Sequence, residues 1–202
     1  MQNLYISPDN YISGFDNMKI LGEKVSDLSK KVLLLSDKTV YSKVKEGIDS
    51  LKNNEVEYST EFFSGECNYD EIERLTGIMK AENYTGIIGF GGGKILDTVK
   101  AVAYKANSKV ITVPTNAATC AAWSSHSAIY TTYGIAYEYL DVGQNADLLF
   151  MDKKIIFEAP KRYIISGILD TLAKWIETDA STRNVKNKKV ETEIAISLAK
   201  KS

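Results

Sequence analysis

At 202 residues and 22.4 kDa, the chain is long enough for one ordinary domain with a substantial core, or for a domain with an appended fragment. Its 44% hydrophobic and 25% charged residues exclude a disordered or collagen-like polypeptide, and 25 basic against 26 acidic residues give no global field to draw nucleic acid or an anionic membrane. No apolar stretch approaches the roughly 20 residues that span a bilayer, the N-terminus carries no secretion pattern, and the two cysteines point to a cytoplasmic, reduced protein.

Apolar runs of strand length alternate with amphipathic stretches of helix length, which predicts βα units on a parallel sheet. Lys31-Val32-Leu33-Leu34-Leu35 reads as a buried strand, and a helix over 39–53 places Val40, Val44, Ile48 and Leu51 on one face. A strand over 56–63 follows, then a helix over 68–82 with Asn68 as its cap and Ile72, Leu75 and Ile78 at helical spacing. The next unit is a strand over 84–90, a glycine cluster, a helix over 94–106 and a strand over 110–113 that Pro114 stops. Small and hydroxylated residues fill 115–134, a composition suited to a loop lining a cleft. A β excursion over 128–140 and a strand over 148–152 come next, and Ala159-Pro160 marks a boundary before two helical patterns over 163–180 and 189–200. The last pattern has an apolar face (Val190, Ile194, Ile196, Leu198) that two short helices scarcely bury between them, so either they pack on the α/β domain or a larger helical domain is cut short, and a face left unburied predicts self-association or poor solubility.

The strongest local signal is Gly89-Phe90-Gly91-Gly92-Gly93-Lys94-Ile95-Leu96-Asp97, a strand running through glycines into a helix. Glycines let a backbone approach a pyrophosphate closely, and free N–H groups at a helix start favour its charge. Ile95 stands where a P-loop needs serine or threonine for magnesium, and Lys94 takes the third glycine position of the dinucleotide fingerprint. By spacing alone the run is either a phosphate turn or a tight turn with no ligand. Asp37, just past the first strand, can accept from a ribose diol or cap the following helix. Asp170 lies among apolar neighbours on a helix, so it needs a cation, a hydrogen-bond network or a metal. Ser125 and His126, as strand neighbours, should point to opposite sides and form no nucleophile–base pair. His126 is left as either a pocket-lining or a solvent-facing residue, and Cys67 reads as an ordinary buried or half-exposed thiol.

Together, Ser36-Asp37-Lys38, the run 89–100, Val113-Pro114-Thr115, Ser127-Ala128-Ile129-Tyr130, 147–152 and 167–177 resemble the iron-containing, metal-dependent alcohol dehydrogenase superfamily in order and spacing, and within it the glycerol dehydrogenase branch. The resemblance implies a dehydroquinate synthase-like fold: a Rossmann-like α/β domain over 1–158, then a helical domain begun at 159–202 and truncated. It implies NAD or NADP as cofactor, with Asp37 on the adenosine ribose and favouring NAD, and Gly91, Gly92, Gly93 and Lys94 around the pyrophosphate. Asp97, Thr115, Thr119, Ser124 and Tyr130 would line the cofactor and substrate cleft. Asp170 would be the first ligand of a divalent metal, zinc in this branch, that binds the substrate hydroxyl as a Lewis acid. The implied activity is hydride transfer from the CH–OH group of a small polyol or 2-hydroxy acid, in a homo-oligomer without nucleic-acid or membrane partners. Two departures stand out. Cys120 replaces the aspartate usual in glycerol dehydrogenases, a change that resembles the hydroxycarboxylate branch and would ease binding of an anionic substrate. The family's two histidine metal ligands have no counterpart, since the only histidine, His126, stands too early. The alternative is therefore a remnant that binds nucleotide or self-associates without turnover. The related dehydroquinate synthase branch is disfavoured for want of basic residues in the expected cleft.

Overall fold

The apolar runs lie side by side in a computed structural model, which describes residues 7–185 and 188–201. The N-terminal residues read above for a secretion signal fall outside the described residues. In chain order the elements are β1 (Asn10–Gly14), a 3-10 turn (Asn17–Ile20) leading into α1 (Leu21–Ser26), β2 (Lys31–Ser36), α2 (Lys38–Lys43), α3 (Lys45–Asn53), β3 (Glu57–Phe62) and α4 (Tyr69–Ala81). Then come β4 (Gly86–Gly91), α5 (Gly93–Ala106), β5 (Lys109–Pro114), β6 (His126–Tyr130), β7 (Ala136–Asp141), β8 (Leu148–Asp152), α6 (Lys153–Glu158), α7 (Lys161–Thr182) and α8 (Val190–Lys201).

Six strands form one parallel sheet in the order β1-β8-β5-β4-β2-β3, and β6 and β7 form a separate antiparallel hairpin. Alternate side chains of each strand face opposite sides, so one sheet makes two cores. Val32, Leu34, Ile88, Phe90, Ile111 and Val113 meet Leu21, Val25, Ile48 and Leu51 from α1 and α3. On the other face, Leu33, Leu35, Ile87 and Val110 meet Ile72, Leu75 and Met79 of α4 and Val99 and Val102 of α5. Asn68 caps α4, its side chain accepting from the Glu71 N–H at 2.9 Å.

Three features differ from the pattern of the sequence. The helix expected over 39–53 breaks at Val44 (φ −96°, ψ 15°) into α2 and α3. Tertiary packing sets the break: α3 must bury Ile48 and Leu51, while α2 has no buried residue and follows the direction given by its cap. β1 and α1 carry no signal that periodicity detects, because β1 is a half-exposed edge strand of five residues and α1 is under two turns long. The short α6 follows β8 directly, with Asp152 accepting from the Lys154 N–H at 2.9 Å.

Candidate functional site

From β2 the chain passes to the edge strand β3 and then crosses back to β4 on the other side of β2. The connections after β2 and β4 thus diverge, which opens a crevice at the carboxyl ends of these two strands, where open α/β sheets hold ligands. A cavity of about 740 Å³ lies there, with Asp37, Gly92, Gly93, Lys94 and Thr115 on its wall. Five residues that are far apart in the sequence therefore meet at one place.

Asp37 fulfils the plainer of its two readings, since its Oδ1 accepts from the Val40 N–H at 2.8 Å as the cap of α2, and it also faces the cavity. Gly92 is the N-cap of α5 and has no side-chain cap bond, so the first N–H groups of α5 open onto the cavity without a competing side chain. A Cβ at Gly92 would stand 2.8 Å from Asn116 Nδ2, and one at Gly91 would stand 2.6 Å from Ile95 Cδ1. Gly91 is therefore required by the packing of α5 on β4, whereas Gly92 keeps the cavity wall open. The Thr115 N–H donates to the Gly91 carbonyl at 3.0 Å, tying the end of β5 to the glycine turn.

The remaining candidates lie outside the cavity wall. Thr119 approaches Gly93, its Oγ1 lying 3.2 Å from where a Cβ would be, and accepts from the Ala121 N–H at 3.3 Å. Asp97, 7% exposed, pairs at 2.9 Å with Lys100, itself 1% exposed, and burial raises the Asp97 carboxyl while Lys100 opposes the rise. Lys100 also donates to the carbonyls of Ser124 (2.9 Å) and His126 (2.5 Å), so this ion pair holds the end of the cleft loop. Tyr130 lies beneath the Lys94 ammonium, 5.2 Å from ring centre to Nζ. Its hydroxyl is pushed upward by burial and by the charge of Asp97. Cys120 is exposed on the loop, and Cys67 is buried, its thiol pushed up to about 12 by burial.

Asp170 stands apart from the cavity on α7. A Cβ at Gly167 would come within 1.9 Å of the Ala117 carbonyl, so the lack of a side chain at Gly167 lets α7 sit directly on the cleft loop. Asp170, one turn further on, is ion-paired with Lys174. Burial pulls the Lys174 amine down, but the bond to Asp170 and the nearby Cys120 carry it above its ordinary value. Among the described residues no three His, Cys, Asp or Glu side chains come together in a way that could hold a metal ion. With its carboxylate taken by a lysine, Asp170 does not fit a metal centre by itself.

Two further expectations need correction. Ser125 Oγ lies 3.4 Å from His126 Nδ1, because β6 starts at His126 and strand alternation does not reach Ser125; His126 itself is exposed. The cavity is also richer in positive charge than the sequence suggested: Lys38, Lys43, Lys94 and Arg162 border it against the carboxylate of Asp37. Arg162 and Tyr163 arrive on the first turn of α7, and Asn116 from the loop after β5. The sequence marks none of them, since only the fold brings the start of α7 to the crevice. Lys100 was legible in principle, three residues after Asp97 on the same helix face.

The iron-containing alcohol dehydrogenase family model matches residues 8–153, which takes in every strand described above. Glycerol dehydrogenase of Citrobacter freundii is 37% identical over 175 residues, covering 86% of this chain and 48% of the relative. Hydroxycarboxylate dehydrogenase A of Escherichia coli is 38% identical over 115 residues, 57% of this chain and 32% of the relative. The crystal structure of glycerol dehydrogenase from Schizosaccharomyces pombe superposes with a TM-score of 0.82 at 33% identity, over 90% of this chain and 46% of that one. The chain spans about half the length of the curated relatives it matches.

Proposed function

The chain belongs to the iron-containing alcohol dehydrogenase family, and from that membership we propose that residues 1–158 bind NAD for an oxidoreductase acting on the CH–OH group of a small polyol or 2-hydroxy acid, while 159–202 begin a helical domain. The observation that carries this reading is the cavity between the ends of β2 and β4, with Asp37 on one wall and Gly92, Gly93 and Lys94 on the other. The N–H groups at the start of α5, the dipole of that 14-residue helix and the Lys94 ammonium all favour the pyrophosphate. Asp37, held in place by its cap bond, faces the ribose as an acceptor and disfavours a 2′-phosphate beside it, which selects NAD over NADP. When bound, the nicotinamide supplies acceptance of the hydride, a chemistry that belongs to the cofactor. Cys120 is exposed on the cleft loop where the resemblance expects an aspartate, and the loss of that carboxylate eases the approach of an anionic substrate, so a 2-oxo or 2-hydroxy acid is favoured over glycerol. The divalent metal of the resemblance, zinc, needs ligands beyond Asp170.

A second reading, nucleotide binding without turnover, is favoured by one observation: the described residues bring together no metal-ligating cluster, and Asp170 is paired with Lys174. Titration calorimetry with NADH tests the common premise of both readings. Micromolar binding, abolished by Gly92→Val, is the expected result; no binding by a folded sample overturns both. Addition of zinc or iron separates the two readings: turnover of a polyol or hydroxy acid supports the oxidoreductase, and unchanged NADH binding without turnover supports the binding module.

A further inference from the structure

Lys94 is already occupied. Its Nζ lies 2.6 Å from Oε1 of Glu66, which comes from the segment between β3 and α4, and the same ammonium sits over the ring of Tyr130. The turn of the β6–β7 hairpin closes over this carboxylate, since a Cβ at Gly134 (φ +75°) would lie 3.3 Å from Glu66 Oε1. The second carboxylate oxygen, Oε2, is buried and has no hydrogen-bond partner among the described residues. Glu66 is thus held between its own β3–α4 segment and the hairpin turn against Lys94 of the phosphate turn.

We propose that Glu66 is the internal counter-ion that a pyrophosphate must displace from Lys94, so that Glu66 sets the affinity of the cavity for phosphate-bearing ligands. The inference rests on the cofactor reading above for the identity of the ligand, and on the Glu66–Lys94 pair alone for the exchange. One ammonium has two anionic claimants. As long as Glu66 is bound, Lys94 is anchored on Tyr130 and its charge is neutralised. When a diphosphate settles on the N–H groups of α5, Lys94 turns to it, and Glu66 is left as a partly buried, unpaired negative charge that weakens the complex. The pair is partly open to solvent, with side chains 44% and 24% exposed, so the effect is moderate.

The test is a double-mutant cycle on the whole chain, with calorimetric affinities for NADH, ADP, inorganic pyrophosphate and adenosine. Glu66→Gln, with Glu66→Ala as a second variant, is expected to tighten ADP, pyrophosphate and NADH about three- to tenfold, a change of about 1 kcal/mol, and to leave adenosine unchanged. In the Lys94→Met background the gain from Glu66→Gln should disappear. An equal gain in both backgrounds would mean simple charge repulsion and overturn the exchange, as would weaker or unchanged binding in both Glu66 variants. If pyrophosphate and ADP follow the cycle and NADH does not bind, the cofactor reading fails and the exchange stands. If no phosphate ligand binds the folded wild type, both fall.

Discussion

A lysine that is 1% exposed is tolerated only with its charge matched and its N–H groups used, and Lys100 meets both conditions through Asp97 and the carbonyls of Ser124 and His126. Removing one partner of such a pair leaves the other charge buried and uncompensated. Lys100→Met should therefore cost about 3–5 kcal/mol of stability, read from urea unfolding, and adding Asp97→Asn should recover part of the loss. Recovery of nothing would show that the two carbonyls, and not the ion pair, are what Lys100 stabilises. The cysteines separate just as clearly. The thiolate is the reactive species, and Cys67, buried and pushed up to about 12, stays a thiol at pH 8, whereas Cys120 is exposed. A thiol reagent at pH 8 should label Cys120 in the native chain, and Cys67 as well once denaturant is added; native labelling at Cys67 would mean that its packing opens readily. Residue type left Cys67 as buried or half-exposed, and the structure buries it. The Lys100 network was not, because its acceptors lie 24 and 26 residues further along and only the fold brings them back.

At the scale of elements, tertiary contacts decide what local propensity leaves open. Asn68 illustrates the legible side, since an asparagine ahead of an amphipathic run is a cap by its own chemistry, and Asn68→Ala should cost about 1 kcal/mol. Gly167 illustrates the other. In an exposed helix Gly→Ala gains up to about 1 kcal/mol in helix propensity. At Gly167 the new methyl would meet the Ala117 carbonyl at 1.9 Å, backbone that cannot rotate away. Gly167→Ala is therefore expected to lift α7 from the cleft loop, read as faster proteolysis around 159–160 and weaker NADH binding, as Arg162 and Tyr163 leave the cavity wall. A more stable variant with unchanged binding would show that α7 does not rest on the loop in solution. The break at Val44 belongs to the same class: the periodicity of 39–53 runs on through it, and only the need to seat Ile48 and Leu51 against the sheet divides the helix.

For the whole molecule, none of the described residues after Ile155 joins the buried clusters, and the large apolar side chains Ile168, Leu172, Ile176, Ile194 and Leu198 of α7 and α8 are exposed. A chain ending at residue 158 should unfold cooperatively within a few degrees of the full chain and stay monomeric, while the full chain should associate with rising concentration in light scattering. A monomeric full chain at high concentration, or a 1–158 chain that fails to fold, would count against the division at 158. The sequence alone determined the parallel α/β architecture and the position of the glycine turn, because strand alternation, helical spacing and glycine punctuation are short-range consequences of backbone geometry, while the family came from the resemblance of its motif set. The tertiary structure decided which residues meet around the crevice: Glu66 against Lys94, Lys100 under the cleft loop, and Arg162 from α7. Those contacts join groups from separate segments, and their distance in space depends on strand order and helix packing, which no local pattern of residues encodes.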